Sequence, residues 1–371
     1  MAELEAVPRV LQVLSLNIDT LINSRKYGFL SYSVSQHGYE DLENSGLCEI
    51  VIHASKSKTV TKSKIVTALR SLFNQYLILK KVRSFDVLYL SADEHYLLVF
   101  LCKYFGIVKK PIVLLNHFTY DYRTTRGILK RSFLCLERKL LTNTVECLLH
   151  SSEAIRDNFD NFYANSKTNG EVGFWGASNS FVEKVKEKLE ITEKGYMFAP
   201  GAANRDFQPV IDACTKLKQP LTILTTSNIS SALVYDENYV TVEIFDTNDA
   251  EIFEKLWRHY LECTAILIPT GGSNHVPNGA SVLAEALLVK KPLIASNSDA
   301  VYIDIEENGI GLLVDTSSPE DWREAITQLK DCLIGNDSVG QNFARLAERY
   351  NSENLSSILI KKFREVSHEQ N

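Results

Sequence analysis

PTGGSNHVPNGASVLAEALLVKKPLIAS (269–296) is the stretch whose reading decides the fold. The apolar run TAILIPT (264–270) leads into it and reads as a buried strand. A polar, glycine-containing loop follows, then ASVLAEALLVKK (280–291) with apolar residues at helical spacing, then the short apolar strand PLIAS (292–296). Strands that are apolar throughout belong to parallel sheets, which are covered on both faces and joined by crossover helices. The helix opens at Asn278-Gly279-Ala280-Ser281, where first-turn N–H groups lack intrahelical partners and the helix dipole favours an anion. Gly279 lets the backbone approach a phosphate closely. Glu285, four residues beyond Ser281, falls on the same helical face and is placed to accept hydrogen bonds from two ribose hydroxyls. Taken alone, the segment reads first as an ordinary βα connection with a solvent-exposed glutamate.

The alternation extends both ways. Upstream in the second half, YMFAPG (196–201), LTILTT (221–226) and YVTVEIF (239–245) read as strands. FQPVIDACTKL (207–217) and DAEIFEKLWRHYLE (249–262) read as helices between and after them. IGLLVD (310–315), PEDWREAITQLKD (319–331) and two helical segments, 338–350 and 352–366, complete the chain. In the first half, strands are expected at 10–17, 48–54, 85–91, 111–117 and 145–152, and helices at 64–81, 96–106 and 124–142. The charged run EKVKEKLEITEK (183–194) reads as the break between halves. The expected fold is α/β, two Rossmann-like doubly wound domains facing each other across a cleft. The first would span 1–180 and the second 181–350, with 351–371 a helix packing back towards the first. Ligands are expected at strand C-terminal ends and in that cleft.

A length of 371 residues suits two domains, and 45% hydrophobic with 23% charged residues is ordinary for a globular protein. No apolar run approaches the roughly 20 residues that span a bilayer, and MAELEAVPR (1–9) does not read as a secretory signal. The seven cysteines are scattered with no CxxC pair, as expected for reduced thiols in a cytoplasmic protein. The net charge of −6 divides unevenly: residues 1–180 hold 22 Lys/Arg against 17 Asp/Glu, a balance of +5, and residues 181–371 hold 18 against 29, a balance of −11. The basic excess concentrates in 51–150, with 17 against 6. Two readings are open for it. One is peripheral binding to an anionic inner leaflet, where a lipid-linked acceptor would lie. The other is half-buried core helices with solvated charged faces. No nucleic-acid reader motif accompanies the charge.

NGASVLAEALLVKKPLIAS, ENGIGLLVDTSSPEDWREAI and GQNFARLAERYNSENL together resemble the family 4 retaining glycosyltransferases of the GT-B fold. FAPGAANRDFQPVIDA (198–213) is similar to that family's first donor-domain strand and glycine turn, in particular to polysaccharide-assembly members with Arg-Asp there. The likeness runs along nearly the whole chain and is specific in the second half. It implies transfer of a sugar from a nucleotide-diphosphate donor, UDP- or GDP-linked, to a glycan or lipid-linked acceptor. It also implies retention of configuration and no cofactor or metal. The family carries two glutamates eight positions apart; counting back from Glu285 reaches Pro277, so Ser273, Asn274, His275 or backbone groups would hold the sugar. The family's Gly-Arg turn is Gly201-Ala202 here, which leaves Arg205 as the cation for the diphosphate or, alternatively, as a surface partner of Asp206. Donor-side candidates are therefore Gly201, Arg205, Ser273, Asn274, His275, Asn278, Gly279, Ala280, Ser281 and Glu285.

On the first half, the resemblance places His117, at the end of PIVLLNH, against the donor sugar's outer hydroxyls as the catalytic-site histidine. Asn116 and Tyr120 are expected beside it, and Asn17 and Asp19 on the acceptor side. Asp93 at the end of another strand is read as a helix cap. Preorganised donors at Gly279, Ala280 and Arg205 would stabilise charge on the leaving diphosphate, and the chain has no Asp-x-Asp motif to hold a metal. A catalytically silent subunit that binds carbohydrate or partners an active transferase remains the alternative, because Pro277 and Ala202 depart from the pattern.

Overall fold

The computed structural model describes residues 7–14, 38–54, 64–91, 95–117, 127–162, 170–201, 204–246, 249, 251–271, 279–297, 303–314, 318–332 and 334–368. They form two compact units, one running through Trp175 and resuming at Ser352, the other Gly176–Asn351.

The first unit is a six-stranded parallel sheet: β1 (Arg9–Leu14), β2 (Glu49–Ala54), β3 (Val87–Leu90), β4 (Ile112–Asn116), β5 (Cys147–His150) and β6 (Glu171–Val172), in the order β2-β1-β3-β4-β5-β6. β3, β4 and β5 are buried along their whole length, the reason each reads as an unbroken apolar run. The crossovers β2 to β3, β3 to β4 and β4 to β5 step in one direction. Right-handed connection therefore puts their helices, Lys64–Lys81, Leu97–Tyr104 and Ile128–Thr144, side by side on one face. The step from β1 to β2 runs the other way and carries Tyr39–Ser45, against which the C-terminal helix Ser352–His368 packs.

The second unit is also a six-stranded parallel sheet: β7 (Met197–Pro200), β8 (Leu221–Thr225), β9 (Val240–Ile244), β10 (Ala265–Ile268), β11 (Leu293–Ser296) and β12 (Gly311–Val314), in the order β12-β11-β10-β7-β8-β9. The chain leaves β7 through β8 to β9, then returns to build β10, β11 and β12 on the other side. The order reverses between β7 and β10, and that is the switch point.

The expected elements recur with ends shifted by up to four residues, and three differences bear on the organisation. The first half of the charged run 183–194 belongs to the helix Asn179–Lys188, capped by Ser178 Oγ accepting from the Phe181 N–H at 3.3 Å. Val182 and Val185 alone bury from it, so the surrounding lysines and glutamates hide its one apolar edge from a composition reading. That helix packs on Ala280–Val289, within the unit Gly176–Asn351. The helix Glu153–Phe162 and the two-residue β6 were not anticipated either.

Candidate functional site

Three loops are tied together at the carboxyl end of the second sheet's switch point, the place where open parallel sheets bind ligands. After β7 the chain turns at Gly201, whose φ of +148° is a conformation side chains disfavour. Asn204 then grips the loop after β10: its carbonyl accepts from the Gly271 N–H at 3.0 Å and its Nδ2 donates to the Gly271 carbonyl at 2.8 Å. The Asp206 N–H donates to the Pro269 carbonyl at 3.2 Å, and Arg205 pairs with Thr270 in an isolated antiparallel bridge. The Thr270 N–H donates to Ser296 Oγ at 2.9 Å, which brings in the end of β11.

Arg205 lies between two glycines. Its Nε donates to the Pro200 carbonyl at 3.3 Å. A Cβ on Gly201 would fall on that same Nε. A Cβ on Gly279 would lie 3.6 Å from Nη2 of Arg205 and 2.6 Å from Cγ2 of Ile268. The guanidinium therefore occupies space that a side chain at 201 would take, and it abuts the cap of the helix Ala280–Val289. Gly279 is that cap, with φ +102°, and offers no side chain to the first-turn N–H groups. Burial lowers the Arg205 pKa, opposed by Tyr260, but an arginine stays protonated at any ordinary pH.

Glu285 stands on the same helix and is not solvent-exposed in the manner of an ordinary surface glutamate. Its Oε2 accepts a hydrogen bond from Tyr260 Oη at 2.5 Å. Burial raises its pKa from 4.5 to about 7, with the Tyr260 hydrogen bond pulling the other way. Tyr260 itself is fully buried, edge-on to Phe198 at 5.3 Å between ring centroids. Its phenol is pushed far above its ordinary pKa by burial first and then by the charge of Glu285, while Arg205 lowers it. A guanidinium, a phenol and a carboxyl thus run in electrostatic contact behind the helix N-terminus.

Of the donor-side residues read from sequence, Gly201, Arg205, Gly279, Ala280 and Glu285 come together here, with Ser281 exposed in the first helical turn. Ser273, Asn274, His275 and Asn278 lie outside the described residues, as does position 277. Tyr260, on the helix Ile252–Glu262, was missed.

In the first unit, His117 directly follows β4 and is buried, its ring edge-on to Trp175 at 5.7 Å. Burial pulls its pKa from 6.5 to about 3, against a hydrogen bond with the Ser91 backbone, so the imidazole is neutral at physiological pH. Asn116 ends β4 buried, with Nδ2 3.1 Å from Nδ1 of His150 on β5. Asn17, Asp19, Tyr120 and Asp93 lie outside the described residues. The helix expected to be capped by Asp93 begins at Leu97, and its entering N–H, that of Tyr96, donates to Glu137 Oε1 at 2.7 Å. The other oxygen of Glu137 pairs with His95 Nδ1 at 2.7 Å.

The fold is GT-B. Sucrose-phosphate synthase from Thermosynechococcus elongatus is similar over 97% of this chain and 99% of its own, with a TM-score of 0.65 at 12% identity. HepE from Anabaena, solved in complex with UDP, matches over 96% of this chain and all of its own, with a TM-score of 0.60 at 12% identity. UDP-N-acetylglucosamine 2-epimerase from Rickettsia bellii is similar over 98% of both chains, with a TM-score of 0.56 at 10% identity. No family model and no curated protein matches the chain. At these identities the likeness carries the architecture, and the chemistry rests on the residues of the site.

Proposed function

We propose that the protein is a glycosyltransferase that takes a sugar from a nucleoside-diphosphate donor and passes it to a glycan or lipid-linked acceptor in glycoconjugate assembly. The observation that carries this reading is Arg205 wedged between Gly201 and Gly279 at a helix N-terminus, with Glu285 one to two turns behind. The guanidinium and the N–H groups of Ala280 and Ser281 supply positive potential for the diphosphate. Glu285, when ionised, accepts from the ribose hydroxyls while Tyr260 holds its other oxygen. As the anomeric bond breaks, negative charge grows on the leaving diphosphate, and these donors are already oriented towards it. His117, neutral and at a strand end, is suited to hydrogen-bond sugar hydroxyls. Family 4 membership and retention of configuration follow from the motif resemblance.

HepE, similar in fold, has been solved with UDP and with UDP-glucose, so UDP is the first nucleotide to test. Calorimetric titration with UDP and with GDP, followed by hydrolysis assays of the matching sugar nucleotides, checks the proposal. Tight binding of one nucleotide with slow sugar release is expected. Absence of binding by the intact protein would favour a silent subunit, the reading that Pro277 and Ala202 support.

A further inference from the structure

The helices Lys64–Lys81 and Ile128–Thr144 each carry large apolar residues on the solvent side. On the first, Leu69, Leu72, Phe73 and Tyr76 form a stripe at helical spacing and face solvent, with Leu69 and Phe73 each 61% exposed. The residues it buries beside Ile78 are Asn74 and Gln75, the latter only 3% exposed. Gln75 Oε1 accepts from the Leu98 N–H at 2.8 Å, so the inward polar group caps the next helix. On the second, Leu129, Phe133 and Leu136 make a matching outward stripe, with Leu129 87% exposed. Scattered exposed leucines need no explanation, but two outward apolar stripes in one helical layer, on the helices that flank Leu97–Tyr104, mark a surface that is covered in use.

Charge identifies what covers it. The stripes continue one turn on into Lys80 and Lys139, and Arg70, Lys81 and Arg131 are exposed among them. The first helix contains no Asp or Glu, and Glu137, the one acidic residue of the second, is buried against His95 and the Tyr96 N–H. An apolar stripe rimmed by cations without anions is the surface of an interfacial helix on anionic lipid, where long basic side chains reach back to the headgroups. No described helix is long and apolar enough to cross a membrane, so the contact is peripheral. Crossover helices run antiparallel to their strands, so both helices start at the carboxyl end of the sheet, with the second stripe in the first half of its helix and the first stripe at the middle of its own. The carboxyl end carries Ser91 and His117.

We infer that the first unit docks on an anionic lipid surface through these two stripes. On the proposed function this brings the acceptor side of the protein to the membrane, but the inference stands on the surface alone.

The test is co-sedimentation of the full chain with vesicles of phosphatidylcholine alone and of equal parts phosphatidylcholine and phosphatidylglycerol. The protein should sediment with the anionic vesicles and stay in solution with the neutral ones. The triple variant Leu69→Ser/Phe73→Ser/Leu129→Ser, and separately Arg70→Gln/Arg131→Gln/Lys139→Gln, should each lower the bound fraction roughly tenfold or more. All six side chains are exposed, and unchanged circular dichroism would show the variants folded. Arg205→Ala, in the other unit, should sediment like the unaltered protein, which separates this inference from the donor reading. Equal sedimentation with both vesicle types, none with either, or full retention by the apolar variant would overturn it. So would concentration-dependent self-association abolished by the apolar variant, or binding to duplex DNA, in a protein that ignores lipid.

Discussion

Tyr260 donates to Glu285 across a 2.5 Å hydrogen bond from a fully buried ring, and that bond opposes the burial that lifts the carboxyl to about 7. The consequence is a ribose-side acceptor that changes charge within the physiological range. Affinity for UDP should rise with pH through about 7 as Glu285 ionises. Tyr260→Phe removes the interaction that favours the ionised form, so the rise should move to higher pH. Glu285→Gln should flatten the profile and weaken binding by about 1.5–3 kcal/mol, the worth of hydrogen bonds to a charged group. Stability should move the opposite way. A carboxyl whose folded pKa lies above its unfolded value holds extra protons when folded, so its contribution falls as pH rises from 4.5 past about 7. Titration calorimetry and thermal melts at several pH values check both signs; a flat binding profile in the unaltered protein would remove Glu285 from the nucleotide.

Arg205 and Gly201 compete for one volume. Gly201→Ala places a Cβ on the guanidinium at a backbone conformation that L residues avoid, so the arginine must leave. UDP affinity should then fall by about 1.5–3 kcal/mol, as for Arg205→Ala. Because both changes remove the same interaction, the double variant should be no weaker than Arg205→Ala alone. Arg205→Lys should recover little, since an ammonium lacks the planar fork of donors. Additive losses in calorimetry would show that Gly201 acts by some other route.

Glycine turns and largely apolar runs made both sheets legible apart from the two-residue β6, because strands buried on two faces carry few polar residues. Glu285 was legible from its register behind Gly279. Tyr260 was not, since it sits 25 residues away in WRHYLE, which has the period of any amphipathic helix. Only the packing of the helix Ile252–Glu262 on Ala280–Val289 brings the phenol to the carboxyl. The helix Lys64–Lys81 shows the complementary limit. Periodicity located its ends, yet the side facing the core is set by Gln75 capping the helix Leu97–Tyr104, an interaction that no single segment reveals.

Three buried histidines make the first unit sensitive to acid. Burial lowers His53 and His150 to about 4 and His117 to about 3 from an ordinary 6.5. A folded pKa below the unfolded one gives stability that is present above 6.5 and is lost as pH falls through the folded value. Each histidine should contribute a slope of about 1.4 kcal/mol per pH unit across that window. His150→Gln should reduce the slope by about a third, since one of three groups no longer titrates. Urea unfolding followed by hydrogen exchange of first-unit peptides, at pH values between roughly 6.5 and 4.5, reads this out. A constant urea midpoint across that range would contradict it.

The last helix belongs energetically to the first strands. Phe363 on Ser352–His368 is fully buried and stands edge-on to Tyr89 of β3 at 5.4 Å, with Leu355 and Leu359 also at 0% exposure. Ser356 Oγ donates to the Gly38 carbonyl at 3.2 Å, and Lys362 bonds both Glu171 of β6 and Glu365. Phe363→Ala should therefore destabilise the first unit by about 3–5 kcal/mol, the range for emptying a buried aromatic site. Ser356→Ala, which removes one hydrogen bond, should lower stability by about 1 kcal/mol. Removing residues 352–371 takes away all of these contacts at once and should leave that sheet unfolded while the second unit persists. Hydrogen exchange resolves the outcome by region: amides of β3 and of Tyr39–Ser45 should lose protection in Phe363→Ala, and those of β7 and β10 should keep it. Equal loss in both units would mean that the C-terminal helix supports the whole chain, and undiminished protection in β3 would mean that its packing contributes little.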